Sequence, residues 1–324
     1  RSETKTWTVP TNIIWVASAT CFVGIILTLT GGYFFYRYIA GENTFFNSLA
    51  AAQTNDGTKT YNLQIAAIGF NPNMSNYHVV YSQTNLALAN NLASQAQTAT
   101  GGGKLSDEDR NLVTQLIQQS IREAKIATSL SPGSIIAWEN LARVYQSIIG
   151  IVNGADQWAI AASQQAAQID PTNPLLRMDL AGLYLKNNNI EEAVGQLQVA
   201  VALKPDLSNI HYNLAYAYSL TKQYFKQAVA LKQTLALIPE SGDDYKKVKA
   251  ELDKILPLLT KDEISALVAV KTGSANVDQM PLTPPETKSE GEIKPKIQLP
   301  ESASPSARVT ESTSAAFPRE LQPQ

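Results

Sequence analysis

The sequence predicts an all-α chain: an N-terminal transmembrane helix, then a stacked array of helical hairpins, then a disordered Pro-rich tail. Three observations carry that expectation. Pro171, Pro205 and Pro239 are evenly spaced, each closing a helical pattern that repeats with it. A fixed period of about 34 residues marks a repeat array. No charged side chain occurs from Thr6 to Tyr36. From residue 272 the composition turns to Pro, Ser, Thr and Glu, with too few large apolar residues to support a core.

Taken in order, residues 1–10 read as a juxtamembrane segment and 11–38 as the transmembrane helix. Ile13 to Phe35 is mostly apolar and contains eleven Ile, Leu, Val or Phe residues. As a helix it is about 34 Å long, enough to cross a hydrocarbon core of roughly 30 Å. Trp7 and Trp15 at one end, and Tyr33, Tyr36 and Tyr38 at the other, suit interfacial aromatic belts. The plain alternative is a buried core helix. A cleaved signal peptide is disfavoured, because the run is too long and no small-x-small site follows it. Arg1 and Lys5 precede the span and Arg37 follows it, which leans towards a cytoplasmic N-terminus and an extracytoplasmic array. The chain opens on Arg rather than Met, as a piece of a longer protein with further spans upstream would.

Residues 39–134 read as divergent helical repeats with a flexible insertion at 94–106, 135–239 as regular repeats, and 240–271 as C-terminal capping helices. The cleanest unit runs from Pro174 to Leu207. Leu180, Ala181 and Tyr184 mark its first helix, and Asn187-Asn188-Asn189 breaks the pattern, since Asn favours turns and tolerates left-handed backbone. Asn189 with Glu192 is expected to cap the second helix, whose Ala193, Leu197, Ala200 and Leu203 form one apolar face. Lys204-Pro205 then stops it. Small residues at the crossing points let the helices approach closely. Upstream, the intervals from Pro72 to Pro132 and from Pro132 to Pro171 are longer than the regular period. The extra residues are expected between helices. Ser106 with Asp109, and Thr260 with Glu263, are further capping pairs. Asp243 to Leu259 reads as an amphipathic end cap, its last turn bent at Pro257, and Ile264 to Val270 as a short final helix.

Trp138, Leu141, Ala142, Tyr145, Ala159, Ala166 and Pro171, and in a later unit Tyr212, Leu214, Ala215, Tyr218, Ala228 and Pro239, resemble the tetratricopeptide repeat family. The pattern departs where Arg177 and His211 replace the usual aromatic, and where Asn188 and Lys222 stand at the turn between the two helices of a repeat. The resemblance implies a scaffold that binds a protein or peptide. Tyr33 to Ala67, with Asn71-Pro72, Tyr77-His78 and Tyr81 to Ala87, is similar to the tails of bacterial O-antigen ligase or polymerase-like membrane proteins. That second resemblance implies a place in cell-envelope polysaccharide assembly, with glycan-assembly components among the partners and the catalytic part upstream.

The chemistry-bearing residues point away from catalysis. His78 and His211 fall on different repeats with no second ligand at metal spacing, so no metal or cofactor is expected. Cys21 lies inside the apolar run. Gly101-Gly102-Gly103-Lys104 fails as a phosphate loop, since Leu105 stands where Ser or Thr is needed. A net charge of −2 with scattered Lys and Arg argues against nucleic acid. The candidate binding groove is lined by first helices of the repeats. Helical period puts Ile136, Glu139, Arg143 and Gln146, then Leu175, Met178, Gly182 and Leu185, then Asn209, Tyr212, Tyr216 and Ser219 on that face. Glu139, Arg143, Met178, Tyr212 and Tyr216 are the expected partner-binding residues, since Tyr and Arg favour binding hot spots and Met adapts to varied partners. The two tyrosines are as well suited to packing against a neighbouring repeat.

Overall fold

The computed structural model describes residues 11–98 and 106–270. The expected juxtamembrane segment, the middle of the insertion at 94–106 and the tail from 272 lie outside them. Twelve α-helices make up the described residues: α1 (Thr11–Gln53), α2 (Gly57–Phe70), α3 (Ser75–Thr98), α4 (Asp107–Leu130), α5 (Ile135–Ser147), α6 (Ala155–Ile169), α7 (Pro174–Lys186), α8 (Ile190–Leu203), α9 (Ser208–Leu220), α10 (Tyr224–Leu237), α11 (Asp243–Ile255) and α12 (Lys261–Ala269), with a 3₁₀ turn at Leu256–Leu258. They fall into two compact units that divide within α4, after Leu116.

The prolines act as punctuation. α2, α4, α6, α8 and α10 each end two residues before one of Pro72, Pro132, Pro171, Pro205 and Pro239. Proline steers the residue before it out of the helical region, so the helix stops there. At four of these ends the intervening residue still donates its N–H back to an alanine carbonyl: Asn71 to Ala67, Ser131 to Ala127, Asp170 to Ala166 and Lys204 to Ala200. Those alanines are buried where neighbouring helices press closest.

The turns inside the pairs are equally uniform. Asn55, Asn188 and Lys222 hold φ of 59°, 60° and 57°. The next residue in each case donates its N–H five residues back, Asp56 to Ala51, Asn189 to Tyr184 and Gln223 to Tyr218. This is the Schellman closure, which needs one left-handed residue and leaves no carbonyl at the helix end stranded. Asn189 precedes α8 as expected, but its side chain makes no capping bond. Its backbone N–H instead closes α7, bonding to the Tyr184 carbonyl. Leu203 is also off the buried face, 39% exposed at the last residue of α8, although Ala200 in the same turn is buried.

In the first unit, α1 carries two different surfaces. Every residue from Trp15 to Tyr36 is exposed, whereas Gly41, Phe45, Ser48 and Ala51 are buried. The helix does not stop at residue 38; its second half pairs with α2, and α2 packs on α3. Phe45, Ala67 and Tyr77 form the core there, with Phe45 stacked on Tyr77 at 4.5 Å. α3 is 24 residues long where α5, α7 and α9 have 13, and α4 is 24 where α8 and α10 have 14. Most of the extra residues between Pro72 and Pro132 therefore lengthen helices, and Ser94 to Thr98, expected in a flexible insertion, continue α3.

In the second unit α5–α6, α7–α8 and α9–α10 are hairpins, and α6, α8 and α10 each pack on the first helix of the next element. The extra residues before Pro171 sit mostly in the α5–α6 loop, where Gly150 and Gly154 take φ of 85° and 75°. Gln164 Nε2 donates to the Tyr184 hydroxyl at 2.7 Å and Gln198 Nε2 to that of Tyr218 at 3.0 Å, the same bond one repeat apart. The array ends on a closed core of Ala228, Leu231, Val248, Ile255, Leu259 and Leu267. Lys232 donates there to the carbonyls of Leu267, Val268 and Val270 at 2.7, 3.2 and 2.9 Å. Both expected caps at the extremities form: Ser106 with Asp109, and a full capping box of Thr260 with Glu263.

Candidate functional site

The first helices of the hairpins lie in one row. Asn209 on α9 donates to Met178 Sδ on α7 at 3.7 Å. Arg143 on α5 acts electrostatically on Asp179 of α7 as well as on Glu139 of its own helix. Tyr212 on α9 donates its hydroxyl to Glu251 Oε1 on α11 at 2.9 Å. The face these contacts define runs across α5, α7 and α9, and α11 closes its end.

Large apolar side chains stand on it unburied. Ile136 is 64% exposed, Leu175 50% and Tyr216 54%, with Leu220 one turn beyond Tyr216. Water contact at residues of that size leaves roughly 25 cal/mol per Å² of apolar area unrecovered, so a partner that covers them gains it. The charges on the face are not at rest either. Burial pushes the Glu139 carboxyl above its ordinary range and the Asp179 carboxylate raises it further, while Arg143 pulls it back. Burial raises Asp179 likewise, against the same Arg143. Both carboxyls feel the same Arg143 guanidinium.

Of the expected binding residues, Glu139, Arg143 and Met178 therefore sit together on the row and Tyr216 projects from it. Tyr212 is placed differently. Its ring packs into the terminal core, Lys247 lies 5.3 Å from the ring centroid, and its hydroxyl is held by Glu251. Burial and that bond raise its phenol pKa. Asp179 was not legible from the helical period, because it sits one position off the Leu175, Met178, Gly182 stripe. Only the approach of α5 brings it beside Glu139.

The histidines have structural work. His78 Nε2 lies 2.8 Å from the Pro72 carbonyl, and His211 Nε2 lies 2.8 Å from that of Pro205. A carbonyl only accepts, so both rings carry their proton on Nε2. Trp138 Nε1 donates to the Pro132 carbonyl at the same 2.8 Å. His211 thus replaces the repeat's aromatic without losing its bond, and His78 marks the same position in the divergent region. Arg177 does not reach Pro171 in this way; it donates to Gln196 Oε1 at 3.0 Å. Among the described residues no group of three or more His, Cys, Asp and Glu is placed to hold a metal ion. A cavity of about 270 Å³ under the α5–α6 loop is lined by Ile149, Val152, Asn153, Asp156, Leu183 and Lys186, a set with no nucleophile beside a base.

The tetratricopeptide repeat family profile matches residues 157–217, from α6 into α9. No curated protein matches the chain. Solved structures similar to it include MamA, residues 41 to the end, from Desulfovibrio magneticus RS-1, at 12% identity and a TM-score of 0.47 over 61% of this chain and 94% of that one. Another is TTC0263, a thermophilic tetratricopeptide repeat protein of Thermus thermophilus, at 15% identity and 0.41 over 68% and 100%. A third is YrrB, described as a tetratricopeptide repeat protein with an unusual peptide-binding site, at 10% identity and 0.45 over 65% and 90%. Likeness of that degree carries nothing about this chain's partner. The hairpins, their regular period and the matched profile agree, and residues 157–217 carry tetratricopeptide repeats within a longer row of helical hairpins.

Proposed function

We propose that this chain is a membrane-anchored scaffold that binds a protein or peptide segment along the face of α5, α7 and α9. The observation that carries this is the row of exposed Ile136, Leu175 and Tyr216 interleaved with Glu139, Arg143 and Asp179. An apolar segment bearing one basic side chain complements that pattern. Tyr216 is the hot-spot candidate, and Tyr212 supports it from below.

The anchor reading rests on α1, which from Trp15 is long and apolar enough to cross a membrane and is bare along that stretch. Its hydroxyls suit a lipid setting: Thr20, Thr28 and Thr30 bond to carbonyls within the helix, so they bring no unmet donor into hydrocarbon. An extracytoplasmic array remains the favoured orientation from the basic residues flanking the span. Cysteines introduced on the array should react with a membrane-impermeant reagent in intact cells; reaction only after lysis reverses the orientation. Reading the chain as the accessory tail of a larger envelope-polysaccharide enzyme rests on sequence resemblance alone, and none of the matched proteins favours it.

The binding face is tested by photocrosslinking. A photoreactive phenylalanine analogue at Leu175 or Tyr216 should capture a partner in cells, and the same analogue at Glu191 on α8 should not. Equal capture from all three positions would refute a dedicated face.

A further inference from the structure

We infer that the turn between α2 and α3, Phe70 to Met74, rests on the phospholipid headgroup layer and seats the first helix pair against the bilayer. The inference rests on the membrane-anchored reading of α1. It starts from the change of surroundings along that one helix. Exposure is complete from Trp15 to Tyr36 and gives way to burial at Gly41, Phe45 and Ser48, with no break in the helix. A helix that leaves the bilayer without a linker fixes the height of whatever packs beside its exit.

What packs there is the α2–α3 turn. Arg37 Nε donates to the Phe70 carbonyl at 2.9 Å and its Nη2 to that of Gly69 at 2.6 Å. Asn71 Nδ2 donates to the Tyr38 carbonyl at 3.2 Å. Gly41 allows the approach, because a Cβ there would collide with Asn71. Arg37 also lies 5.9 Å from the centroid of the Tyr33 ring. Its guanidinium therefore serves the C-terminal carbonyls of α2, where a cation is favoured, and clamps the turn to the helix at the end of the bare stretch.

The chemistry of the turn suits headgroups. Pro72 and Asn73 are exposed, and Tyr36 and Tyr38, which flank Arg37 on α1, are exposed aromatics of the kind that settle at a membrane interface. No acidic residue occurs between Asp56 and Asp107, so no carboxylate on α2 or α3 repels lipid phosphate. The far end of the same helix pair, at Gln53, is about 24 Å further along α1 and lies clear of the bilayer.

The test uses the full chain with Cys21→Ser, and Leu27→Cys, Asn73→Cys or Gln53→Cys as single labelling sites. All three positions are exposed. Each variant is labelled with a fluorophore and reconstituted into phosphatidylcholine vesicles carrying a nitroxide on the headgroup or on the acyl chain, its helical signal matched to the parent. The label at 27 should lose most of its emission to the acyl-chain nitroxide, the label at 73 to the headgroup nitroxide, and the label at 53 to neither. Loss at 27 without loss at 73 overturns the seating and leaves the anchor standing. Equal headgroup quenching at 73 and 53 overturns it too, since the helix pair would then lie flat. No quenching at 27 removes the anchor, and the seating with it.

Discussion

Gln198 reaches from α8 to the Tyr218 hydroxyl on α9, a 3.0 Å bond between one hairpin and the next. Gln164 and Tyr184 repeat it at 2.7 Å. One repeat earlier the corresponding residues are Lys125 and Tyr145, each at the same offset from its proline. Lys125 turns away, its ammonium 5.5 Å from the centroid of the Trp158 ring, and the buried Tyr145 hydroxyl has no hydrogen-bond partner. Burial also lowers the Lys125 pKa, so the charge is held at a cost. Lys125→Gln supplies the missing donor and removes the desolvated charge. We expect a gain of about 1 kcal/mol, or about 2–4 °C in Tm for a domain of this size. A lower Tm would mean that the contact with Trp158 outweighs both.

Tyr145 makes stability sensitive to alkali. Burial pushes its phenol from 10.0 up to about 12. Below pH 10 the group is neutral in both states and its contribution is constant. Between pH 10 and about 12 the unfolded chain releases the proton and the folded chain keeps it, so stability falls by about 3 kcal/mol across that window. Tyr145→Phe should flatten this part of a pH series of urea melts and, by removing an orphaned hydroxyl, cost little at pH 7. An unchanged alkaline slope would assign the loss to other groups.

Lys222 holds φ of 57°, which costs a non-glycine residue roughly 1–2 kcal/mol. Lys222→Gly should therefore raise stability by about 0.5–1 kcal/mol after the greater chain entropy of glycine is subtracted. Asn188→Gly should gain less, because asparagine tolerates that conformation better. Thermal melts of the two variants give the order, and the reverse order would contradict it.

His211 is predicted to be valued for its donor rather than its ring. His211→Phe keeps an aromatic of similar breadth but leaves the Pro205 carbonyl without its partner. A loss of about 1 kcal/mol, read from the urea midpoint, is expected. A variant as stable as the parent would reduce the bond to a by-product of packing.

The proline spacing and the alanine, leucine and tyrosine pattern were enough to place every hairpin from 135 to 239, because both report backbone geometry that each repeat must satisfy alone. The left-handed turn at Asn188 was legible for the same reason. The role of His211 was not, since its equivalence to Trp138 depends on where a ring nitrogen ends up rather than on hydrophobic period. The two surfaces of α1 were half legible: the apolar run marked the bare part, but only the docking of α2 distinguishes its continuation from a linker. At the candidate face, helical period put Glu139, Arg143, Met178 and Tyr216 on one side of the first helices. For Tyr212 it left binding and packing equally open, and the packing is set by α11, a helix that arrives only after α10 has closed the hairpin.

Lys232 stands where Gln164 and Gln198 stand in the hairpins before it, at the same offset from Pro239. Each glutamine offers its amide forward to a tyrosine of the next unit, and an array built only of such units has an end that asks for another copy. Lys232 instead turns its three donors onto the carbonyls at the close of α12. One side chain thus folds the last hairpin back onto α12 rather than reaching forward to a further unit. A copied unit inserted ahead of residue 206 would be read through and still end correctly. The same unit appended after residue 270 would meet a closed door.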